Sequence, residues 1–200
     1  MDNRVVLMAA IIVTGIFFCG CVSPTPPSAP VHPSPGQPSN IPTSSAPSGP
    51  LTIRVDSLVA GAILPDAYTC KGKSESPEVS WDGIPPGTKS LVLIVDDPDA
   101  SKGTFTHWIV YNIPPVAGGL APGQSFAKVL ENGAQQGDTS AGSRGWYPPC
   151  PPIGTTHRYV FRLYAVDMDI TQPTADRDSI NWALTGHTIE NIPFTTTVAR

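Results

Sequence analysis

The chain is poor in charge, and poorest in positive charge. Of its 200 residues 14% are charged, against about a quarter in an ordinary soluble domain, and 12 lysines and arginines face 16 aspartates and glutamates. No basic stripe is present to neutralise a phosphate backbone, which excludes nucleic acid as a partner. No apolar run spans a bilayer: Val5 to Phe18 falls short of the roughly 20 residues that a membrane helix needs. There are four cysteines and no Cys-x-x-Cys or His-Glu-x-x-His spacing, so nothing prescribes a dedicated zinc site and no cofactor is expected. Ser140 and Ser143 lie in a glycine-rich stretch but outside any Gly-x-Ser-x-Gly frame, so no serine is marked as a nucleophile. Internal repeats are absent.

What is present begins with a leader. Arg4 followed by the apolar run has the form of a signal-peptide core, and Phe18-Cys19-Gly20-Cys21 closes it like a lipobox with Cys21 as the lipidated residue. Residues 1–20 read as the signal peptide; cleavage without a lipid and an uncleaved anchor are the alternatives. Val22 to Pro50 is dominated by Pro, Ser, Thr, Ala and Gly, too apolar-poor to offset the entropy of ordering. Residues 21–50 thus read as the lipidated cysteine and a disordered tether, rising about 3.1 Å per residue where polyproline II prevails. The expected location is the cell membrane, lipid-anchored and facing outside the cytoplasm.

Residues 51–200 have the length of one domain with its own core. Asp2 and Arg4 cancel, so this domain carries the whole net charge of −4. With Cys19 lost in the leader and Cys21 lipidated, Cys70 and Cys150 remain. They form either one disulfide, as suits an exported chain, or two inert buried thiols.

Strand signals dominate this domain. LTIRV, SLVLIVDD, HWIVYNI and HRYVFRLYAV are rich in β-branched and aromatic residues and bounded by Pro, Gly or Asp. The last alternates, so His157 and Tyr159 share a face with Phe161, Leu163 and Ala165. LVLIV is apolar throughout, as expected of a strand covered on both sides. Helix is expected over Asp178 to Leu184, stopped by Gly186, and over His187 to Asn191, ended by Pro193. The pattern predicts a mainly β, single-domain sandwich with a few short helices.

Chemistry gathers in three separated segments: DDPDA at Asp96 to Ala100, THWIVYNIP from Thr106, and PPCPPIGTTHRYVF from Pro148. Asp97 and Asp99 flank Pro98 at a strand end, either facing one pocket or capping a turn. His107 and His157 each open a strand. Together with SPEVSWDGIPPGTKSLVLIVDDPDA, these segments resemble the signature of the phosphatidylethanolamine-binding protein family, in its prokaryotic branch of Raf-kinase-inhibitor-like proteins, from about Leu51 onward.

The resemblance implies the same β-sandwich and a ligand pocket. That pocket draws Asp97 and Asp99 from the first segment, Phe105 and His107 from the second, and Cys150, Pro151, Pro152, His157 and Tyr159 from the third. The imidazoles and the Tyr159 phenol would donate to a small phosphorylated anion, while an aspartate orients a ring, raises its pKa, or accepts from a ligand ammonium. In the family, glycine amides before HRY also hold the anion. Prokaryotic relatives carry a GYxGPCPP-like run where this chain reads RGWYPPCPP, so Trp146 stands for a tyrosine and Pro148 for a glycine, removing one N–H. The consecutive prolines at 148, 149, 151 and 152 make a cis bond in this loop an expectation.

The function expected is a non-enzymatic, extracytoplasmic binding module for a small anion. A Cys150–His157 dyad is disfavoured by prolines on both sides of the cysteine and by an oxidising setting. The alternative is a protein-interaction or hydrolase-inhibitor domain, as the resemblance allows, acting through loop rims and the segment near Phe194. Partners expected are the anionic ligand, a protein partner, the membrane through the anchor, and a second copy of the chain as a homodimer.

Overall fold

The computed structural model describes residues 49–171 and 175–200. The leader, Cys21 and the tether up to residue 48 lie outside the described residues.

The strands are β1 (Thr52–Val55), β2 (Val79–Asp82), β3 (Ser90–Asp97), β4 (Phe105–Ile113), β5 (Gly119–Leu120), β6 (Gln135–Gln136), β7 (Thr156–Val166) and β8 (Thr188–Ala199). Helix α1 (Arg177–Leu184) lies between β7 and β8. One sheet has the order β1-β2-β5, the other β6-β4-β3-β7-β8, and every pairing between these strands is antiparallel. The mainly β, two-sheet fold read from the sequence is the observed one.

Period-two alternation explains the layers. Leu91, Leu93 and Val95 of β3 join Phe161, Leu163 and Ala165 of β7 and Ile53, Val55 and Trp81 of the small sheet in one core. Val92 and Ile94 turn to the opposite face, where Ile180, Ala183 and Leu184 of α1 cover them. The central strand is therefore apolar from Leu91 to Val95 because both of its faces are buried there.

Helix α1 begins where the sequence places it. Asp176 is its N-cap, accepting from the Ser179 N–H at 2.8 Å, and Gly186 follows with φ +81°. Asp176→Ala should cost about 1 kcal/mol of unfolding free energy, read by urea denaturation, whereas Asp176→Asn should cost much less.

The second helix expected, His187 to Asn191, is not formed; from Thr188 this stretch is the start of β8, paired along β7. Thr188, Ile189 and Ile192 are β-branched, and the partner strand decides a segment too short to hold a helix alone. Pro193 does not break the ladder. Thr195 and Thr197 turn backbone groups outward to Gly61, Ala62 and Leu64, and by parity Pro193 turns its missing N–H to that same outer edge. The expected cis bond is also absent, since no cis peptide occurs among the described residues.

Candidate functional site

One local irregularity builds the site. Val95 pairs with Trp108, but the next pair is Asp96 with Thr106, so His107 is an extra residue on β4 opposite a register shift. By strict alternation it would fall on the helix-covered face with Ile109; the bulge re-aims it to the other side. There it joins Phe105, whose ring centroid lies 4.8 Å away, and Tyr159, whose ring meets it edge-on at 5.1 Å. Asp97 ends β3 on the core parity of Val95, and His157 and Tyr159 come from β7, the strand beside it. Strand ends from three neighbours thus converge on a cleft of about 260 Å³. Its walls are completed by Ala100, Ser101, Tyr147, Cys150, Pro151 and Pro152.

Both imidazoles are pinned through the same nitrogen. His157 Nδ1 lies 2.7 Å from Asp97 Oδ2, and His107 Nδ1 lies 2.8 Å from the Tyr147 carbonyl oxygen. Each of these oxygens accepts, so each Nδ1 carries a proton and each Nε2 is the ring's lone-pair nitrogen when neutral. Neither Nε2 has a hydrogen-bond partner among the described residues. Burial lowers the His107 pKa, opposed in part by the Tyr147 carbonyl and by the charges of Asp97 and Asp96. Burial, and then the Asp97 charge, raises the Tyr159 phenol, so it remains a neutral donor.

The two aspartates divide their roles. Asp97, 4% exposed, orients His157 through one oxygen and with the other accepts from the Asp99 N–H at 2.8 Å. It is both the turn cap and the ring-orienting group. Asp99 does not line the cleft as expected. Its carboxylate is bound by the Arg158 N–H at 2.8 Å and by the guanidinium at 2.6 and 2.9 Å, which holds its pKa down at about 2. Pro98 and the turn that Asp97 caps carry Asp99 past the rim.

The bridge between Cys70 and Cys150 is formed, with Cα atoms 5.4 Å apart. It anchors one wall of the cleft, reinforced by the Cys70 N–H donating to the Pro149 carbonyl at 3.1 Å and Trp146 Nε1 donating to the Tyr68 carbonyl at 3.0 Å. The Cys150 sulfur is therefore no free thiolate. Ser140 exchanges hydrogen bonds with the Thr106 backbone and Ser143 pairs with Thr139, so both serve the loop.

A family model described as phosphatidylethanolamine-binding protein matches residues 55–199, most of the chain. The chain belongs to the phosphatidylethanolamine-binding protein family. A relative from Methanothermobacter thermautotrophicus, named only UPF0098 protein, is 45% identical over 128 residues, covering 63% of this chain and 83% of that protein. Another, from Mycobacterium tuberculosis, carries a lipoprotein name, LppC, and is 41% identical over 133 residues, 66% of this chain and 63% of its own. The crystal structure of the family homologue CT736 from Chlamydia trachomatis superimposes with a TM-score of 0.69 at 34% identity, covering 76% of this chain and 99% of that one.

Two departures from the family's sequence pattern take their place in the fold. Trp146 is a core residue, edge-on to Trp108 and stacked on Phe161, while the aromatic ring at the cleft is that of its neighbour Tyr147. Pro148 does not line the cleft. Sequence reasoning missed Tyr147, whose part in holding His107 is played by a backbone carbonyl and so leaves no side-chain signal. Phe194, expected near an interaction rim, is buried opposite Phe161 in β8.

Proposed function

We propose that the protein is a non-enzymatic, extracytoplasmic binding module whose cleft takes a small anion such as phosphate or a phosphorylated headgroup. The observation that carries this reading is the pair of imidazoles, each fixed through Nδ1 with Nε2 left unpartnered beside the Tyr159 phenol. Neutral rings offer an anion lone pairs; protonated rings offer it two charged donors. Anion binding is thus coupled to proton uptake. The sulfur of Cys150 is committed to a disulfide, which supports binding over nucleophilic catalysis.

Export is supported by the leader and lipobox pattern and by the bridge itself, which persists in oxidising compartments. The lipoprotein name of the mycobacterial relative agrees with an anchor at Cys21. Among the described residues no helix is long and apolar enough to cross a membrane.

The sign of the pH dependence follows from the coupling. Burial lowers the pKa of free His107 and an adjacent anion favours its cation, so the complex binds more protons than the free protein. Affinity for sulfate, which does not itself titrate in this range, should rise several-fold from about pH 8 to pH 5.5, across the reference histidine pKa near 6.5. The His107→Ala, His157→Ala double variant should bind weakly with a flat profile. A flat wild-type profile would make the histidines structural.

A further inference from the structure

We propose that the end of the domain opposite the cleft is a membrane-contact surface whose partner is a lipid bilayer, an assignment that rests on the anchored reading above. Two loops leave the sandwich at that end, 83–89 between β2 and β3 and 114–118 between β4 and β5. They enclose an apolar groove of about 630 Å³ lined by Ile84, Pro85, Pro86, Pro115 and Val116. Strand β3 separates groove from cleft: Ser90 begins it next to the groove loop and Asp97 ends it in the cleft, about 23 Å away at 3.3 Å per residue. Apolar side chains stand uncovered here. Val116 is 94% exposed, and the Ile189 side chain packs beside Gly87 of the groove wall. Trp182, 73% exposed, stands with Met168, whose carbonyl accepts from the Ser90 hydroxyl at 2.7 Å and so fixes this patch at the same end of β3. Single exposed apolar residues are ordinary, but an indole and aliphatic loop tips gathered at one end make an interfacial surface.

The point at which the chain enters the domain selects the occupant. Gly49 and Pro50 lie against Gly83 of the groove, so closely that a side chain at 83 would strike the Pro50 carbonyl oxygen. A chain anchored at Cys21 therefore reaches the domain at its apolar end, which brings that end nearest the bilayer. Tethering raises the effective concentration, so even a weak surface affinity suffices. Charge adds no positive excess to attract anionic headgroups: Asp82 pairs with Arg54, Asp167 with His187, and Lys89 is outnumbered by Asp169 and Glu190. Contact consequently comes from apolar burial and is met by zwitterionic lipid. The cleft then opens away from the membrane, toward anions in solution.

The test reconstitutes the full chain, recovered from membranes, in phosphatidylcholine vesicles with and without brominated acyl chains, which quench tryptophans that touch them. Three of the four tryptophans, Trp81, Trp108 and Trp146, are buried, so quenching reads Trp182. Wild-type emission should fall in the brominated vesicles, and Trp182→Phe should lose that fall. Val116→Asp, which sets a charge where the loop tip meets the acyl boundary, should cut the quenching several-fold with an unchanged melting temperature, while Val116→Leu should keep it. The His107→Ala, His157→Ala variant should be quenched like the wild type. Unchanged quenching in Val116→Asp or in Trp182→Phe would overturn the assignment, as would loss of quenching in the double histidine variant, which would put the cleft against the bilayer. Flotation of the same samples separates the two readings. A chain that floats with the vesicles but is not quenched keeps its anchor and lacks the docking surface; a chain that does not float loses the anchor, and the proposal with it.

Discussion

Removing the Cys70–Cys150 bridge is expected to lower the unfolding free energy by about 4 kcal/mol. The two cysteines are 80 residues apart, and a cross-link closing a loop of that length withdraws about 4–5 kcal/mol of chain entropy from the unfolded state. For a domain of this size that corresponds to a fall in melting temperature of about 10 °C. The Cys70→Ala, Cys150→Ala pair avoids new reactive thiols, and denaturant titration of the variant against the oxidised wild type gives the difference. A loss below about 1 kcal/mol would contradict the loop-closure argument, since native disulfides in small exported domains usually contribute 2–5 kcal/mol. Because Cys150, Pro151 and Pro152 form one wall of the cleft, the same variant should also bind anions more weakly. Two backbone ties survive, Cys70 to Pro149 and Trp146 to Tyr68, so the wall should loosen and not detach.

Asp97→Asn should strengthen phosphate binding in alkaline solution by about tenfold, which is about 1.4 kcal/mol and the size expected from removing one negative charge near a dianion in a wet cleft. A second effect acts in the same direction. The asparagine Oδ1 can still accept from the Asp99 N–H, which leaves its NH₂ facing His157 Nδ1. That ring must then accept through Nδ1 and carry its proton on Nε2, toward the cleft. A neutral His157 becomes a donor, and the rise in affinity with falling pH should flatten. Inorganic phosphate and phosphoethanolamine separate the two roles open to Asp97. If it only orients the ring, both ligands gain; if it also holds a ligand ammonium, phosphate gains and phosphoethanolamine loses. Weaker binding of inorganic phosphate by Asp97→Asn would contradict the tautomer assignment.

Much of this was legible in the residue order, for physical reasons. The period of two placed His157 and Tyr159 on the core face of β7, and the unbroken LVLIV run announced a strand buried on both sides. The helix over Asp178 to Leu184, stopped by Gly186, is found as α1, which starts one residue earlier on its Asp176 cap. What escaped depended on contacts between distant segments. His107 was expected in the pocket through the family resemblance, but its route there was not legible: a register shift between β3 and β4 gives β4 an extra residue, and alternation alone would have sent it to the other face. Asp99 was misplaced because its partner, Arg158, belongs to a strand some sixty residues on. His187 to Asn191 was misread because pairing with β7 overrides weak helical preference in so short a stretch. Tyr147 acts through a backbone carbonyl, which leaves no motif.

The proposed anion site rests on two Nδ1-protonated imidazoles whose Nε2 atoms are left for the ligand. Long-range proton–nitrogen correlation of the histidine rings, recorded near neutral pH with and without inorganic phosphate, reads these protons. His107 and His157 should show the Nδ1–H tautomer in the free protein, and saturating phosphate should convert at least one ring to the doubly protonated form. Free rings protonated on Nε2, or spectra unchanged at phosphate concentrations that saturate binding, would rule out anion binding at these rings.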